Sequence, residues 1–129
     1  MTDPVADMLS RLRNAIAVNK TEISLPYSRF KAELASVLSE TGWLNSTNVT
    51  GTGIKRELQI EINQSDQPPR ISHIKRLSTS GRRLYVSAKE IPAVKNGRGM
   101  VVISTSKGLM SGVQARSQSL GGELICEVY

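Results

Sequence analysis

The chain has 129 residues, a mass of 14.1 kDa, a formal net charge of +6 and one cysteine, Cys126. This length fits one ordinary domain or two small ones, and a hydrophobic fraction of 39% with a charged fraction of 22% excludes wholesale disorder. A single cysteine excludes an internal disulfide. One cysteine and one histidine are too few ligands to favour a zinc site. No apolar run approaches the roughly 18 residues of a membrane span.

Apolar residues at helical spacing predict a helix at the start of the chain. Asp3 is placed to cap this helix, and Pro4 suits its first turn. Its predicted buried stripe consists of Val5, Met8, Leu9, Leu12 and Ile16. A short strand at residues 23–25 then stops at Pro26.

A second helix is predicted after Ser28, whose hydroxyl suits a helix cap, and the pair Thr41-Gly42 ends it. Its predicted buried face consists of Phe30, Leu34, Val37 and Leu38. Two runs separated by residues 51–53 then predict a hairpin, because the second run alternates between apolar and polar residues. These elements form an αβαββ unit, which we expect to be an N-terminal domain of residues 1–64.

Residues 63–70, NQSDQPPR, break all periodicity and are predicted to be a linker. Beyond them, the predicted strands cover residues 71–77, 84–87, 100–103 and 123–129, with a brief helix at residues 110–118. The pair Gly121-Gly122 permits a close backbone approach into the last strand. The predicted fold is therefore α+β, with a second, mostly β domain of residues 65–129 that contains a short helix.

Two further expectations follow from local sequence. Cys126 lies in an alternating apolar run and is predicted to be a small buried hydrophobe. The first residues lack the basic-then-apolar order of a secretory signal, which predicts a cytoplasmic location, with an organelle-encoded protein as the alternative.

The positive charge is concentrated in the second half of the chain. Residues 70–107 contain nine basic residues and one acidic residue, a net charge of +8. This favours a polyanionic partner, since neutralising phosphates releases condensed counterions. A basic face that serves only solubility is the alternative, because these residues are dispersed along the segment.

The predicted strand at 100–103 leads into the hydroxyl run Ser104-Thr105-Ser106-Lys107-Gly108, which permits three interpretations. Ser104 and Lys107 have the spacing of a lysine-activated nucleophile, but the Ser-Asp-Asn and Lys-Thr-Gly elements of penicillin-recognising enzymes are absent from the sequence. Alternatively, the hydroxyls approach base edges or 2′-hydroxyls of RNA while the lysine meets a phosphate. An ordinary Ser-Thr turn is the third interpretation.

Tyr85 is the aromatic residue best placed for RNA, because it follows Arg82 and Arg83 in the sequence GRRLYV. A base stacked on this ring and a ring buried in the core are both compatible with the pattern. No nucleotide-binding loop and no catalytic or metal-binding constellation is predicted.

Five segments, in order and without large gaps, carry a resemblance to a known family. They are DPVADMLSRLRNA, LPYSRFKAELASVL, GRRLYV, VVISTSKGLMSGVQAR and GGELICEVY. The chain resembles the bacterial-type family of small ribosomal subunit protein eight, for which the STSKG block followed by Gly-Gly-Glu is highly specific.

This resemblance implies two α+β domains, no enzymatic activity and no cofactor. It implies binding to an irregular stem in the central domain of 16S-type ribosomal RNA, contact with neighbouring ribosomal proteins and, in some bacteria, repression of the family's own operon through a similar stem in its messenger RNA. Neither DNA nor a membrane is an expected partner. The RNA-binding residues that the resemblance implies are Tyr85, Ser104, Thr105, Ser106, Gly122 and Glu123. To these the local sequence adds Arg82, Arg83, Lys107 and Gly108. A second, weaker RNA contact is expected at Arg13, Asn14 and Lys55.

Overall fold

The computed structural model describes residues 4–129 and divides into two compact units, the first ending at Ile71 and the second comprising Ser72–Tyr129. Each unit has its own antiparallel sheet with helices, which confirms the predicted α+β class. The predicted linker, residues 63–70, lies within the first unit, where the Arg70 guanidinium donates a hydrogen bond to the carbonyl of Gly42 at 2.6 Å.

The first unit has the predicted αβαββ order. Its elements are α1 (Pro4–Ala17), β1 (Glu22–Pro26), α2 (Arg29–Glu40), β2 (Ser46–Thr50) and β3 (Glu57–Glu61). The strand order is β1-β3-β2, and Leu58 of β3 lies opposite both Leu25 and Val49. A 3-10 turn, Gly53–Lys55, joins β2 to β3 and confirms the predicted hairpin.

Both helices bury an apolar stripe, although the sequence analysis misplaced part of each one, because Ile16 and Val37, predicted to be buried, are only half-buried. In α1 the buried residues are Val5, Met8, Leu9, Leu12 and Ala15, while the predicted cap Asp3 lies outside the described residues. Ser28 caps α2 as predicted, accepting a hydrogen bond from the Lys31 amide at 3.2 Å. Phe30, predicted to be buried, is 36% exposed. The stripe of α2 consists of Lys31, Leu34, Ala35 and Leu38, and Phe30 lies one position to its side.

The second unit is built around a long central strand. Its elements are β4 (Ile74–Arg76), β5 (Tyr85–Val86), β6 (Met100–Thr105), β7 (Gly108–Ser111), α3 (Gly112–Ser117) and β8 (Gly122–Val128). Strands β4 and β5 both pair with β8, which pairs with β6 on its other side, and β7 pairs with β6. No helix in the described residues 4–129 is long and apolar enough to cross a membrane.

The helix predicted at residues 110–118 is wrong at its start, because Gly108–Ser111 form the strand β7. Gly108 has φ of +106°, a conformation that lets the chain reverse tightly after β6. Met110 can then pair with Ile103 and enter the core. The helix α3 begins only after Ser111, whose hydroxyl accepts a hydrogen bond from the Gln114 amide at 3.2 Å.

One face of the second sheet is covered by α3 and the segment before β6. The buried cluster on this face consists of Ile91, Val94, Val101, Ile103, Met110, Ala115 and Leu124. Cys126 is fully buried, as predicted, and burial raises the pKa of its thiol to about 12.

Candidate nucleic-acid interface

Three functional candidates from distant parts of the sequence stand side by side on adjacent strands. Tyr85 of β5 lies opposite Glu123 of β8, which lies opposite Ser104 of β6. Their neighbours Ile103 and Leu124 face the buried cluster, so Ser104 and Glu123 project from the opposite face of the sheet. We call Tyr85, Glu123 and Ser104 the polar row. Tyr85 is 69% exposed, which excludes the interpretation of this ring as a core residue.

The polar row depends on two glycines that let the strands approach closely. A Cβ atom on Gly122 would lie 2.0 Å from the carbonyl oxygen of Ser104, and one on Gly121 would lie 2.5 Å from that of Val86. Real Cβ atoms do not come so close, so any side chain here would move β8 away from its neighbours. Gly122 therefore sets the spacing of the row. The sequence analysis predicted such a close backbone approach for the pair Gly121-Gly122.

The hydroxyl run forms the end of the β6–β7 hairpin, and we call residues 104–108 the hairpin tip. Thr105 pairs with Gly108, which leaves Ser106 and Lys107 as the two turn residues. The Thr105 hydroxyl accepts a hydrogen bond from the Lys107 amide at 3.1 Å and donates one to the Gly108 carbonyl at 2.9 Å. Thr105 thus has the structural role of an ordinary Ser-Thr turn, whereas the exposed Ser106 has no hydrogen-bond partner among the described residues.

Arg82 and Arg83 precede Tyr85 in a turn that a buried hydroxyl fixes. Ser78 is fully buried, and its hydroxyl accepts a hydrogen bond from the Leu84 amide at 2.9 Å. Arg83 donates to the Glu123 carboxylate at 3.1 Å, which ties this cation to the polar row. Arg82 lies at the exposed end of the turn, where its backbone pairs with Thr79. No local pattern predicts the Arg83–Glu123 ion pair or the role of Ser78.

This arrangement presents groups that suit a partly opened nucleic acid. An exposed ring, a carboxylate and a hydroxyl lie in one row, with Arg83 paired to the carboxylate and Lys107 exposed at the hairpin tip. Arg83 engages one carboxylate oxygen of Glu123, and the remaining lone pairs of this carboxylate can accept hydrogen bonds from base amino groups. The cations favour phosphate oxygens.

The three residues proposed for a second contact do not form one cluster. Arg13 and Asn14 are exposed on α1, where Arg13 donates to the Ser10 hydroxyl at 3.2 Å. Asn14 lines a surface cleft of about 470 Å³ beside Glu22–Ser24, at the start of β1. Lys55 is exposed just before Glu57, which pairs with the last residue of β1, so the two sites lie toward opposite ends of that strand.

Comparison with known proteins gives a consistent result over the whole chain. Residues 3–129 match the family described as Ribosomal protein S8. The small ribosomal subunit protein uS8 of Ruthia magnifica subsp. Calyptogena magnifica is 43% identical over 129 residues, covering 100% of this chain and 98% of that protein. The proteins of the same name from Oleidesulfovibrio alaskensis and Bordetella petrii are also 43% identical, covering 100% and 99% of this chain and 99% and 98% of their own lengths.

Proposed function

The chain belongs to the ribosomal protein S8 family and is a non-enzymatic constituent of the small ribosomal subunit, and from this premise we propose that its second unit binds an irregular stem in the central domain of the ribosomal RNA. In this proposal the protein binds the stem directly and early, and thereby helps to assemble the platform of the subunit. The observation that carries the proposal is the polar row of Tyr85, Glu123 and Ser104 beside the hairpin tip.

The chemistry of the row favours RNA that is locally opened. A regular A-form duplex keeps its base edges in a deep, narrow groove that side chains cannot read. The exposed ring of Tyr85 can stack only on a base that has left the helix, and the Glu123 carboxylate needs a base amino group within reach. Both groups therefore find partners at a bulge or a rearranged base pair.

The surrounding cations position the protein without reading sequence. Lys107 is exposed at the hairpin turn, and Arg82 is exposed in the turn before β5. In our proposal both contact phosphates, while Ser106 and Ser104 donate to base edges or 2′-hydroxyls. Gly108 keeps the backbone of the tip free of a side chain where RNA approaches.

Further partners follow from the same proposal. A surface that recognises the local shape of a stem also accepts a similar stem in messenger RNA, which is the basis for repression of the operon that encodes the protein. The first unit makes the second RNA contact at two separate places, one at Arg13 and Asn14 and the other at Lys55, and neighbouring small-subunit proteins complete its surroundings. We place the protein on cytoplasmic ribosomes.

The substitution Ser106→Ala tests whether the tip reads distorted RNA. We expect weaker binding to the irregular stem by about 1–3 kcal/mol, the usual cost of losing one specific base contact. Binding to a regular duplex of equal length should change little. Ser46→Ala, at an exposed position of β2, is the matched control. An equal loss on both RNAs would refute the assignment of Ser106.

Crosslinking in cells tests the identity of the RNA. A photoreactive group at Tyr85 or at the hairpin tip should capture one central-domain stem of the small-subunit RNA. Capture of DNA, or of transcripts alone with the protein absent from ribosomal fractions in a sucrose gradient, would instead indicate a regulatory module.

A further inference from the structure

The first sheet has two outer strands, β1 and β2, and their free edges differ. In β1 the edge is obstructed, because Pro26 has no N–H group and the Arg11 guanidinium donates to the Ser24 carbonyl at 3.3 Å. In β2 the sequence STNVT contains neither a proline nor a charged residue, which are the usual devices that protect a sheet edge. The edge of β2 is therefore the open side of this sheet.

The hydrogen-bond pattern identifies which backbone groups of β2 are free. The Ile62 amide donates to the Thr21 carbonyl at 2.7 Å, so the even-numbered residues along β3 bond toward β1 and the odd-numbered ones toward β2. Thr47 and Val49 lie opposite even-numbered residues of β3, so their N–H and C=O groups point outward. The described residues form no hydrogen bond with these groups. The edge thus offers two donors and two acceptors to a further strand.

The side chains along this edge suit an extended peptide. Val49 lies opposite the buried Leu58 on the core face of the sheet and is 43% exposed at its rim, where a residue of an added strand would cover it. On the other face β2 carries Ser46, Asn48 and Thr50, which are short and polar. The edge therefore combines an apolar rim on one face with an unobstructed polar surface on the other.

The outer face of the first sheet is acidic in a protein whose net charge is +6. Side chains alternate between the two faces of a strand, so this face carries every second residue of β1, β2 and β3. Among these residues are Glu22, Glu57 and Glu61, and none is lysine or arginine. Glu57 accepts a hydrogen bond from the Ser24 hydroxyl at 2.8 Å through one carboxylate oxygen, which leaves the other oxygen available. Such a face repels phosphate and complements lysine and arginine.

We propose that the β2 edge accepts an extended segment of a neighbouring small-subunit protein, rich in lysine or arginine, as a fourth strand of the first sheet. The added strand pairs with the free backbone groups of β2. Ser46 lies between this strand and Glu61, and Thr50 lies between it and Glu57. Both intervening side chains are short, so a lysine or arginine can reach across them. The proposal rests on the role of neighbouring proteins proposed above and names the chemistry of one of them.

The charges decide among the possible occupants of this edge. RNA is a polyanion, and the glutamates of the outer face repel it. A second copy of this chain that paired through its own β2 would bring an equally acidic face, so like charges would meet. A basic arm is extended by its own charge repulsion before it binds, and an extended chain is the form that adds to a sheet. The occupant that matches the edge is therefore a basic extended segment.

Amide hydrogen exchange with a short synthetic peptide tests the edge in the purified full-length protein. The probe alternates lysine with valine, as Lys-Val-Lys-Val-Lys, and a second peptide carries glutamate in place of each lysine. Only the lysine peptide should slow the exchange of the Thr47 and Val49 amides, which point outward from β2. Equal effects of the two peptides, or no effect of either, would overturn the proposal.

Two variants separate the backbone contact from the charge contact. Val49→Pro removes an outward N–H group and keeps the bonds to β3, so it should weaken binding of the lysine peptide about three- to ten-fold. Glu57→Gln combined with Glu61→Gln should weaken it about five-fold at low salt and much less at high salt. The matched control, Glu33→Gln with Glu40→Gln, removes two charges from α2. Equal affinities of the two double variants would contradict the charge contact, even if Val49→Pro proved unfolded by circular dichroism.

A photoreactive side chain at Asn48, used in assembled small subunits, identifies the natural occupant. Crosslinks to one segment of another ribosomal protein that contains several lysines or arginines would support the proposal. Crosslinks to ribosomal RNA or to a second copy of this chain would overturn it, and so would the absence of crosslinks. All variants should bind the central-domain stem like the parent protein. Failure of the parent protein to bind that stem would contradict the proposed RNA-binding function instead, and the crosslink would still decide the role of the β2 edge.

Discussion

Replacing Gly122 by alanine tests whether the spacing of the polar row depends on the missing side chain. The added Cβ atom would lie 2.0 Å from the Ser104 carbonyl oxygen and 3.2 Å from the Thr105 Cα. Ordinary van der Waals contact begins at 3.4 Å, so β8 and β6 must separate by about 1.4 Å at this point. Neither atom belongs to a flexible side chain, and the strain therefore falls on the sheet.

We expect Gly122→Ala to destabilise the second unit by about 1–3 kcal/mol, the usual cost of overpacking. The control is Gly81→Ala, because nothing lies within 4 Å of the Cβ position of Gly81. This second change should alter stability by no more than about 0.5 kcal/mol.

Native-state amide hydrogen exchange in β6 and β8 is the suitable assay, because it reports the stability of this sheet separately. Fluorescence of the single tryptophan, Trp43, would report the first unit. Gly122→Ala should also weaken binding to the irregular stem, since Ser104 moves relative to Glu123. Equal exchange rates in the parent protein and Gly122→Ala would refute the close approach, as would equal destabilisation by the two alanine variants.

Four other predictions concern single side chains. Lys107→Ala should make the salt dependence of RNA binding shallower by about one unit, and an unchanged slope would argue against a phosphate contact. Tyr85→Phe should retain affinity for the stem, whereas Tyr85→Ala should lose about 1–3 kcal/mol in a binding titration if the ring stacks on a base. Ser78→Ala leaves the Leu84 amide without its partner and should cost about 1–3 kcal/mol of stability, measured by hydrogen exchange; full retention would contradict the hydrogen bond. Burial raises the pKa of Cys126 from 9.0 to about 12, so only the unfolded thiol ionises as the pH rises above 9.0. The free energy of unfolding should therefore fall between pH 9.0 and 12 more steeply in the parent protein than in Cys126→Ala, measured by urea titrations at several pH values. An equal dependence on pH in the two proteins would contradict this.

Local signals were sufficient to predict most of the elements. The helical spacing of Val5 to Leu12 predicted α1, and the hydroxyl of Ser28 predicted the start of α2. These signals involve residues only a few positions apart, so they can be recognised without knowing which distant parts of the chain come together. Phe30 was misplaced because a large apolar residue in the first turn of a helix can lie beside the buried stripe.

The second unit was harder because its contacts join distant parts of the chain. The strand β7 has only four residues, and the chain reversal before it depends on the positive φ of Gly108. Ser78 is buried because its hydroxyl meets the amide of Leu84, a pairing that no periodic pattern encodes.

The candidate site was likewise predictable where its signals are local, but not where it depends on contacts between distant strands. Tyr85 and Ser104 were singled out from their local sequence and Glu123 from the family resemblance, but their order in one row follows from the register of three strands. A slip of one residue would turn each side chain to the opposite face of the sheet, and the sequence does not state the register. The ion pair between Arg83 and Glu123 also depends on this register.

The most direct test compares the affinity of the purified protein for two RNAs of equal length, an irregular stem from the central domain of the small-subunit RNA and a regular duplex. We predict that the irregular stem binds at least about a thousand-fold more tightly at physiological salt, the lower range for specific recognition of nucleic acid. Equal affinities for the two RNAs would contradict the proposal that the polar row and the hairpin tip recognise a distorted site.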